Sequence, residues 1–506
     1  MALRSSSAKL VLAALMSTAT AQSPGQNSSS ACDTLQQTLG AITSLPGSDN
    51  YTNATQDYFN AAAYLSPSCV VAPTTSQEMS NIVGIFNDTN TQFAIRGGGH
   101  MTIANAANID APGVLIATSG LSNLILSDDE SIIEVGAGNT WSDVYRFLEP
   151  YKLAVVGGRA GLVGVPGFLL GGGISFFSNE NGWASANVVQ YDCVLGNGDI
   201  VSATASNEYS DLFLALRGGG NSFAIVTGFH LKTFSLPEVA VGENQYSPNS
   251  SAQFLDSIYS FALDGSSDSR VGIEPRVQWI PSLYPDPSYY SILFNNGNTT
   301  TPPALINFTQ TMEPISSSFI VRPSMYNWTQ FADSSRSQLS GLRSAFHVVT
   351  IKANRQALEI VHDVFLDMMK TQISGVTNVI GSLAFVPVTE HFLSVSTASG
   401  GDPMDVDATQ GTYIIVEETV VWSEASDDAK VDQLLTDFDT NVTSQINALG
   451  DVMSPFLYLN NAGAGQPVFQ GYAGDNLQKM KDVRAKYDPD LIFTNLMPGG
   501  WKVEAA

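Results

Sequence analysis

Phe93-Ala94-Ile95-Arg96-Gly97-Gly98-Gly99-His100 is the stretch on which the reading of this chain turns. A short β-type run ends in three consecutive glycines, which leave backbone N–H groups exposed with no side chain in the way. Such a nest suits an anion, the pyrophosphate of a dinucleotide above all, and Arg96 adds a positive charge beside it. Read alone, the run is equally a glycine turn between two strands, and its spacing is not that of the G-x-G-x-x-G fingerprint.

Two further clusters lie downstream. One is Gly157-Gly158-Arg159-Ala160-Gly161-Leu162-Val163-Gly164-Val165-Pro166-Gly167-Phe168, followed by Gly171-Gly172-Gly173. The other, Arg217-Gly218-Gly219-Gly220-Asn221, precedes a strand-like run at 223–227. Few side chains stand in the way of a flat, extended molecule lying along such a backbone. Three clusters in one region are more than turns alone require.

From 69 to about 234 these clusters alternate with short β-branched runs at 113–117 and 131–135 and helical patterns at 76–86 and 140–149, which predicts an α+β domain. Beyond 234 the glycine clusters cease. Longer alternating strands at 290–294 and 413–417 and amphipathic stretches at 356–370 and 427–449 predict a sheet backed by helices. A helix at 476–487, stopped by Asp488-Pro489-Asp490, closes the chain, and its pattern fits either domain.

With 506 residues the chain exceeds the size at which a single core stops growing, roughly 250–300 residues, so two domains are expected. Hydrophobic residues at 44% against 14% charged ones exclude a disordered chain. The net charge of −25 repels phosphate backbones and anionic membranes, which argues against nucleic acid and membrane partners.

The basic start at Arg4, the apolar run 10–16 and the small-residue site Ala19-Thr20-Ala21 predict a secretory leader over 1–21, with the mature chain beginning near Gln22. Sequons at Asn27, Asn50, Asn53, Asn87, Asn249, Asn298, Asn307, Asn327 and Asn441 agree with a glycosylated, extracellular protein. In that oxidising setting Cys32 and Cys69 are expected to pair, while Cys193, in a strand-like run, reads as a buried inert thiol.

The order Arg-Gly-Gly-Gly-His, Val-Gly-x-x-Gly-Phe-x-x-Gly-Gly-Gly, Leu212-Phe213-x-Ala215-Leu216-Arg217-Gly218-Gly219-Gly220-Asn221 and the terminal Lys486-Tyr487-Asp488-Pro489 resembles the berberine-bridge-enzyme-like group of the vanillyl-alcohol-oxidase flavoproteins, with PCMH-type FAD binding, over nearly the whole chain. The resemblance implies a two-domain α+β fold. An FAD-binding domain would span 22–233, with 455–506 returning to it, and 234–454 would form a substrate domain with an antiparallel sheet backed by helices.

The resemblance also implies site residues. His100 would carry FAD through an 8α bond, and Ala160, where many relatives have a second attaching cysteine, implies a single histidyl linkage. Arg96, Gly97, Gly98, Gly99, Val163, Gly164, Gly167, Gly172, Asn187 and Val226 complete the expected cofactor-binding set. Valine at 163, in place of leucine, implies reaction with O2. Glu417 and Tyr458 are the candidate bases; for Glu417 the alternation leaves open whether it or Glu418 faces the flavin, and Tyr458 reads equally as a core tyrosine. Trp328, Trp422, Tyr284, Tyr289, Tyr290 and His391 are possible lining residues, with core packing an equal explanation.

The expected protein is a secreted FAD-dependent oxidase. It takes hydride from an alcohol or amine carbon of a sugar or secondary metabolite, reduces O2 to hydrogen peroxide and acts as a monomer. An oxidative cyclase, an FAD dehydrogenase with little O2 reactivity and a flavin-holding binding protein are the alternatives.

Overall fold

Hydroxyl caps start the helices that frame the glycine loops. Thr75 accepts from the Glu78 amide at 3.1 Å at the head of Ser76–Thr89, which ends in a left-handed Asn90. Thr140 and Asp143 form a reciprocal capping box at the head of Trp141–Leu148. Caps of this kind contribute about 1 kcal/mol each.

The computed structural model describes residues 25–336, 339, 341–373 and 375–506; the expected leader over 1–21, its cleavage site before Gln22 and the Asn27 side chain lie outside the described parts. A four-stranded sheet runs in the order Thr43–Ser44, Cys69–Val71, Val114–Ala117, Phe93–Arg96. Phe93–Arg96 pairs in parallel with Val114–Ala117 at the sheet edge, and its end delivers Gly97–His100. A second, antiparallel sheet orders Leu124–Leu126, Ile132–Gly136, Ile225–Lys232, Val188–Val194 and Ile200–Thr204. The strand expected at 223–227 therefore begins at Ile225 and extends to Lys232. Cys32 and Cys69 form a disulfide tying the helix Gly25–Leu39 to this region. Cys193 is fully buried and burial holds its thiol protonated.

A nine-stranded antiparallel sheet occupies the middle of the chain. Its central strands run in the order Val239–Tyr246, Ser288–Asn295, Val271–Trp279, Ile380–Val388, Tyr413–Trp422, Arg343–Lys352. Helices Ser251–Asp264, Arg355–Thr371 and Asp428–Asn447 bury one face, in a core that includes Ile414, Val416, Val420 and Trp422. The opposite face sends Val241, Ile292, Phe294, Val386 and Ile415 into a larger core shared with the glycine-loop elements. Each such apolar side chain contributes roughly 1.5–3 kcal/mol on burial.

The C-terminal segment packs into that larger core through Phe456, Tyr458, Phe469, Met480 and Phe493. Tyr487 donates its hydroxyl to Asp211 at 2.6 Å, and Lys486 pairs with the same carboxylate at 2.7 Å. Gln466 fixes its loop to the sheet: its Oε1 accepts from the Val348 amide at 3.0 Å and its Nε2 donates to the Val348 carbonyl at 2.9 Å.

Candidate active site

The first two glycine clusters meet backbone to backbone. A Cβ added at Gly98 would lie 2.3 Å from the Gly164 nitrogen, and one at Gly164 would lie 2.3 Å from the Gly98 nitrogen. The second loop is held by Trp141 N–H donating to the Val163 carbonyl at 3.1 Å and Val165 N–H donating to the Asn139 carbonyl at 3.0 Å. Among the described residues, the backbone amides of Gly97, Gly98, Gly99, Val163 and Gly164 donate to no backbone carbonyl. These unspent N–H donors, brought side by side where the two loops touch, suit the pyrophosphate of a dinucleotide.

His100 follows this cradle with its ring stacked on Phe59, centroids 4.2 Å apart and planes 12° apart. Phe59 also donates its amide to the Gly99 carbonyl at 2.9 Å and reaches Phe346 on the large sheet. Arg96 lies beside the glycines already paired. Its guanidinium pairs with Asp57 at 2.7 Å and lies over the Tyr58 ring at 4.9 Å, so it fastens the glycine turn to the preceding loop.

The other expected cofactor residues divide. At Gly167 an added Cβ would meet nothing within 4 Å, whereas Gly172 (φ +94°) is pressed against Met404. The Asn187 amide donates to the carbonyls of Asn181 and Trp183, both at 3.0 Å, so that group serves the local turn. Val226 is buried in the sheet opposite Cys193, and Ala160 is buried too.

The large sheet supplies the opposite wall. Cross-strand partners share a face, and the register puts Gln245, Tyr290, Arg276, Ala384, Glu417 and Val348 in one row across it. Phe346 and Thr419 belong to the adjoining row of the same face. Glu417 therefore faces the glycine-loop side. Its carboxylate accepts from Thr419 Oγ1 at 2.9 Å and from the side-chain amide of Asn461.

Tyr458 is close by, and its hydroxyl oxygen accepts from the Ile174 amide at 2.9 Å and from Asn460 Nδ2 at 3.0 Å. Its ring stacks on Trp183. Burial pushes the phenol up to about 12, with the Asn460 hydrogen bond and the Arg159 charge opposing. Glu418 faces the helices, 1% exposed, and its burial, aided by nearby Asp439, raises its carboxyl well above the usual range.

The expected lining aromatics separate by face. Trp422 and Tyr289 belong to the helix-covered core, where Trp422 donates to Asp428 at 2.9 Å and Tyr289 bonds His362 at 2.8 Å, so neither lines the cleft. Tyr284 is 55% exposed outside the core. Tyr290 stands in the Glu417 row, and His391, half-buried, belongs to the helix Glu390–Ala398. Trp328 lies close to the cleft, donating to the Arg159 carbonyl at 2.9 Å.

Arg159, Glu274, Arg276, Asn461 and Phe59 carry much of the site and had no assigned role in the sequence reading. Arg159 Nη1 lies 2.9 Å from Glu274 Oε2, and Arg276 bonds the other oxygen of the same carboxylate. Burial, then Arg276, pull the Arg159 guanidinium down to about 10. The alternation Gly272, Glu274, Arg276, Gln278 within an otherwise apolar strand was the available signal for two of them.

The FAD binding domain family matches residues 67–204. The FAD-dependent monooxygenase prx3 of Penicillium roqueforti is 32% identical over 482 residues, covering 94% of this chain and 93% of that protein. The bifunctional solanapyrone synthase of Alternaria solani is 30% identical over 467 residues, covering 90% and 85%. Among solved structures, the glucooligosaccharide oxidase of Acremonium strictum, described with a 6-S-cysteinyl, 8α-N1-histidyl FAD, superposes with a TM-score of 0.73 at 17% identity, covering 91% of this chain and 97% of that one.

Proposed function

The chain belongs to the FAD-linked oxidoreductases of the berberine-bridge-enzyme-like, PCMH type, with their vanillyl-alcohol-oxidase-type fold, and from that premise we propose that it is a secreted oxidase of small molecules whose FAD is joined to His100 by a single bond. When bound, FAD accepts hydride from an alcohol or amine carbon of a sugar or secondary metabolite and passes the electrons to O2, giving hydrogen peroxide. Residues 22–233 with 455–506 would hold FAD, and 234–454 would bind substrate. The facing glycine loops and the position of His100 at their end support the attachment, and Ala160 supports its being single.

Glu417 carries the reading. It is the carboxylate on the cleft face of the central strand, and Thr419 and Asn461 orient it through its own oxygens. An acceptor so fixed suits removal of a substrate O–H or N–H proton. Tyr458 is less suited to that work, because its oxygen already accepts two hydrogen bonds and burial keeps its proton on. It positions the Ile174 turn and the Asn460 amide instead.

An anaerobic screen of sugars, alcohols and amines for bleaching of the flavin band, followed by air, tests the proposal. Bleaching followed by rapid recolouring in air is expected; a reduced protein that stays reduced for minutes in air overturns the oxidase reading and leaves a dehydrogenase. The solanapyrone synthase relative is the observation favouring an oxidative cyclase as the second reading. Product mass against O2 consumed separates the two.

A further inference from the structure

Two guanidinium groups converge on one carboxylate beside Glu417. Arg159 and Arg276 each engage Glu274, which is the carboxylate between them. All three are drawn out of water, the side chains of Arg159, Glu274 and Arg276 keeping 15%, 1% and 25% of their exposure. The set therefore holds an excess of one positive charge. Glu243 is the next carboxyl on the same face, beyond Ile292; burial raises it, with Arg276 opposing.

That excess faces Glu417. Arg276, Ala384 and Glu417 are successive cross-strand partners, so two strand spacings, about 10 Å, separate the two backbones. The residue between them, Ala384, is buried and has only a methyl group. Arg276 Nε is buried with no hydrogen-bond partner among the described residues. A buried guanidinium donor left over in a charged set calls for an acceptor from outside the protein. When Glu417 takes up a proton as the base, the arginines lose one counter-charge, which a bound anion would replace.

We infer that Arg276, backed by Arg159, is the specificity-determining residue of the cleft, and that it receives a carboxylate of the substrate while the carbon to be oxidised faces Glu417. This rests on Glu417 being the cleft base. The substrate class is then a small carboxylic acid whose oxidisable carbon lies about two strand spacings from its anionic end. Arg is the residue suited to this, because its planar fork matches both oxygens of a carboxylate.

Benzoate and benzamide, equal in size and different in charge, are titrated into the flavin-loaded protein while the flavin absorbance is followed. The unsubstituted protein is expected to bind benzoate about tenfold or more tighter than benzamide, as a charge-assisted pair requires. R276Q should remove that preference, leaving benzamide binding within about twofold, and R276K should restore part of it. E274Q should enlarge it, since the positive excess grows.

Retained flavin absorbance shows that each variant is folded. Absence of a benzoate preference in the unsubstituted protein, including absence of benzoate binding, overturns the inference; so does a preference that survives in R276Q. Neither probe is an oxidisable alcohol or amine, so this outcome is independent of the bleaching and reoxidation that test the oxidase reading.

Discussion

Glu417 and Glu418 are neighbours in sequence and lie on opposite faces of one strand. Glu417 meets Thr419 and Asn461 on the cleft side, whereas both carboxylate oxygens of Glu418 are buried on the helix side without a hydrogen-bond partner among the described residues. One strand thus offers an oriented acceptor to the cleft and, to the core, a carboxyl that burial raises well above its ordinary value.

The first prediction concerns that acceptor. Glu417→Gln keeps the hydrogen-bonding shape and removes the base, so the rate of flavin bleaching under anaerobic conditions should fall by about 10²–10⁴-fold. Tyr458→Phe should bleach far closer to the unsubstituted rate. Its main effect is on stability: the Ile174 amide is left unpaired, at a cost of about 1–3 kcal/mol in denaturant unfolding. An unchanged bleaching rate in E417Q would remove Glu417 from the chemistry.

Glu418 gives the second prediction, a dependence on pH. Its folded value is raised above the ordinary 4.5, so the stability it contributes is fully present below that unfolded value and is lost as pH rises through the folded value. Glu418→Gln cannot ionise. Its melting temperature relative to the unsubstituted protein should therefore rise from pH 4 to pH 8, and a difference that stays flat across that range would contradict the assignment.

His100 supplies the third. Acid-precipitated protein should stay yellow, and His100→Ala should release the colour into the supernatant. The mass of the unsubstituted polypeptide should carry one FAD. A yellow H100A precipitate would place the bond elsewhere.

The fourth prediction follows from the contact between Gly98 and Gly164. Gly98→Ala puts a Cβ 2.3 Å from backbone that belongs to a hydrogen-bonded turn and cannot slide away. Overpacking of this kind costs about 1–3 kcal/mol or more. Gly84→Ala, in the helix Ser76–Thr89 where a Cβ meets open space, is the control, and it should retain flavin while Gly98→Ala loses it.

Much of the frame was legible in residues that act locally. The helical patterns at 76–86 and 140–149 are helices, Cys32 and Cys69 pair as expected, and the first two glycine clusters meet backbone to backbone. What stayed hidden is nonlocal. Alternation along 413–422 defined two faces, but only the helices packed on Trp422 and Val416 decide which face is the cleft. Arg159 meets a carboxylate 115 positions away, and Arg96 is claimed by Asp57 from upstream. No local pattern encodes such pairings, because they depend on how the two cores come together.

The Arg343–Lys352 strand is paired with Met453–Ser454 only at Thr350 and Ile351, so Val348 would present an open rung toward solvent. The amide of Gln466 fills that rung with one donor and one acceptor, as another strand would. Unfilled edges recruit further chains into fibres. The returning tail therefore also keeps the sheet from growing, and a chain cut before 466 would be expected to self-associate.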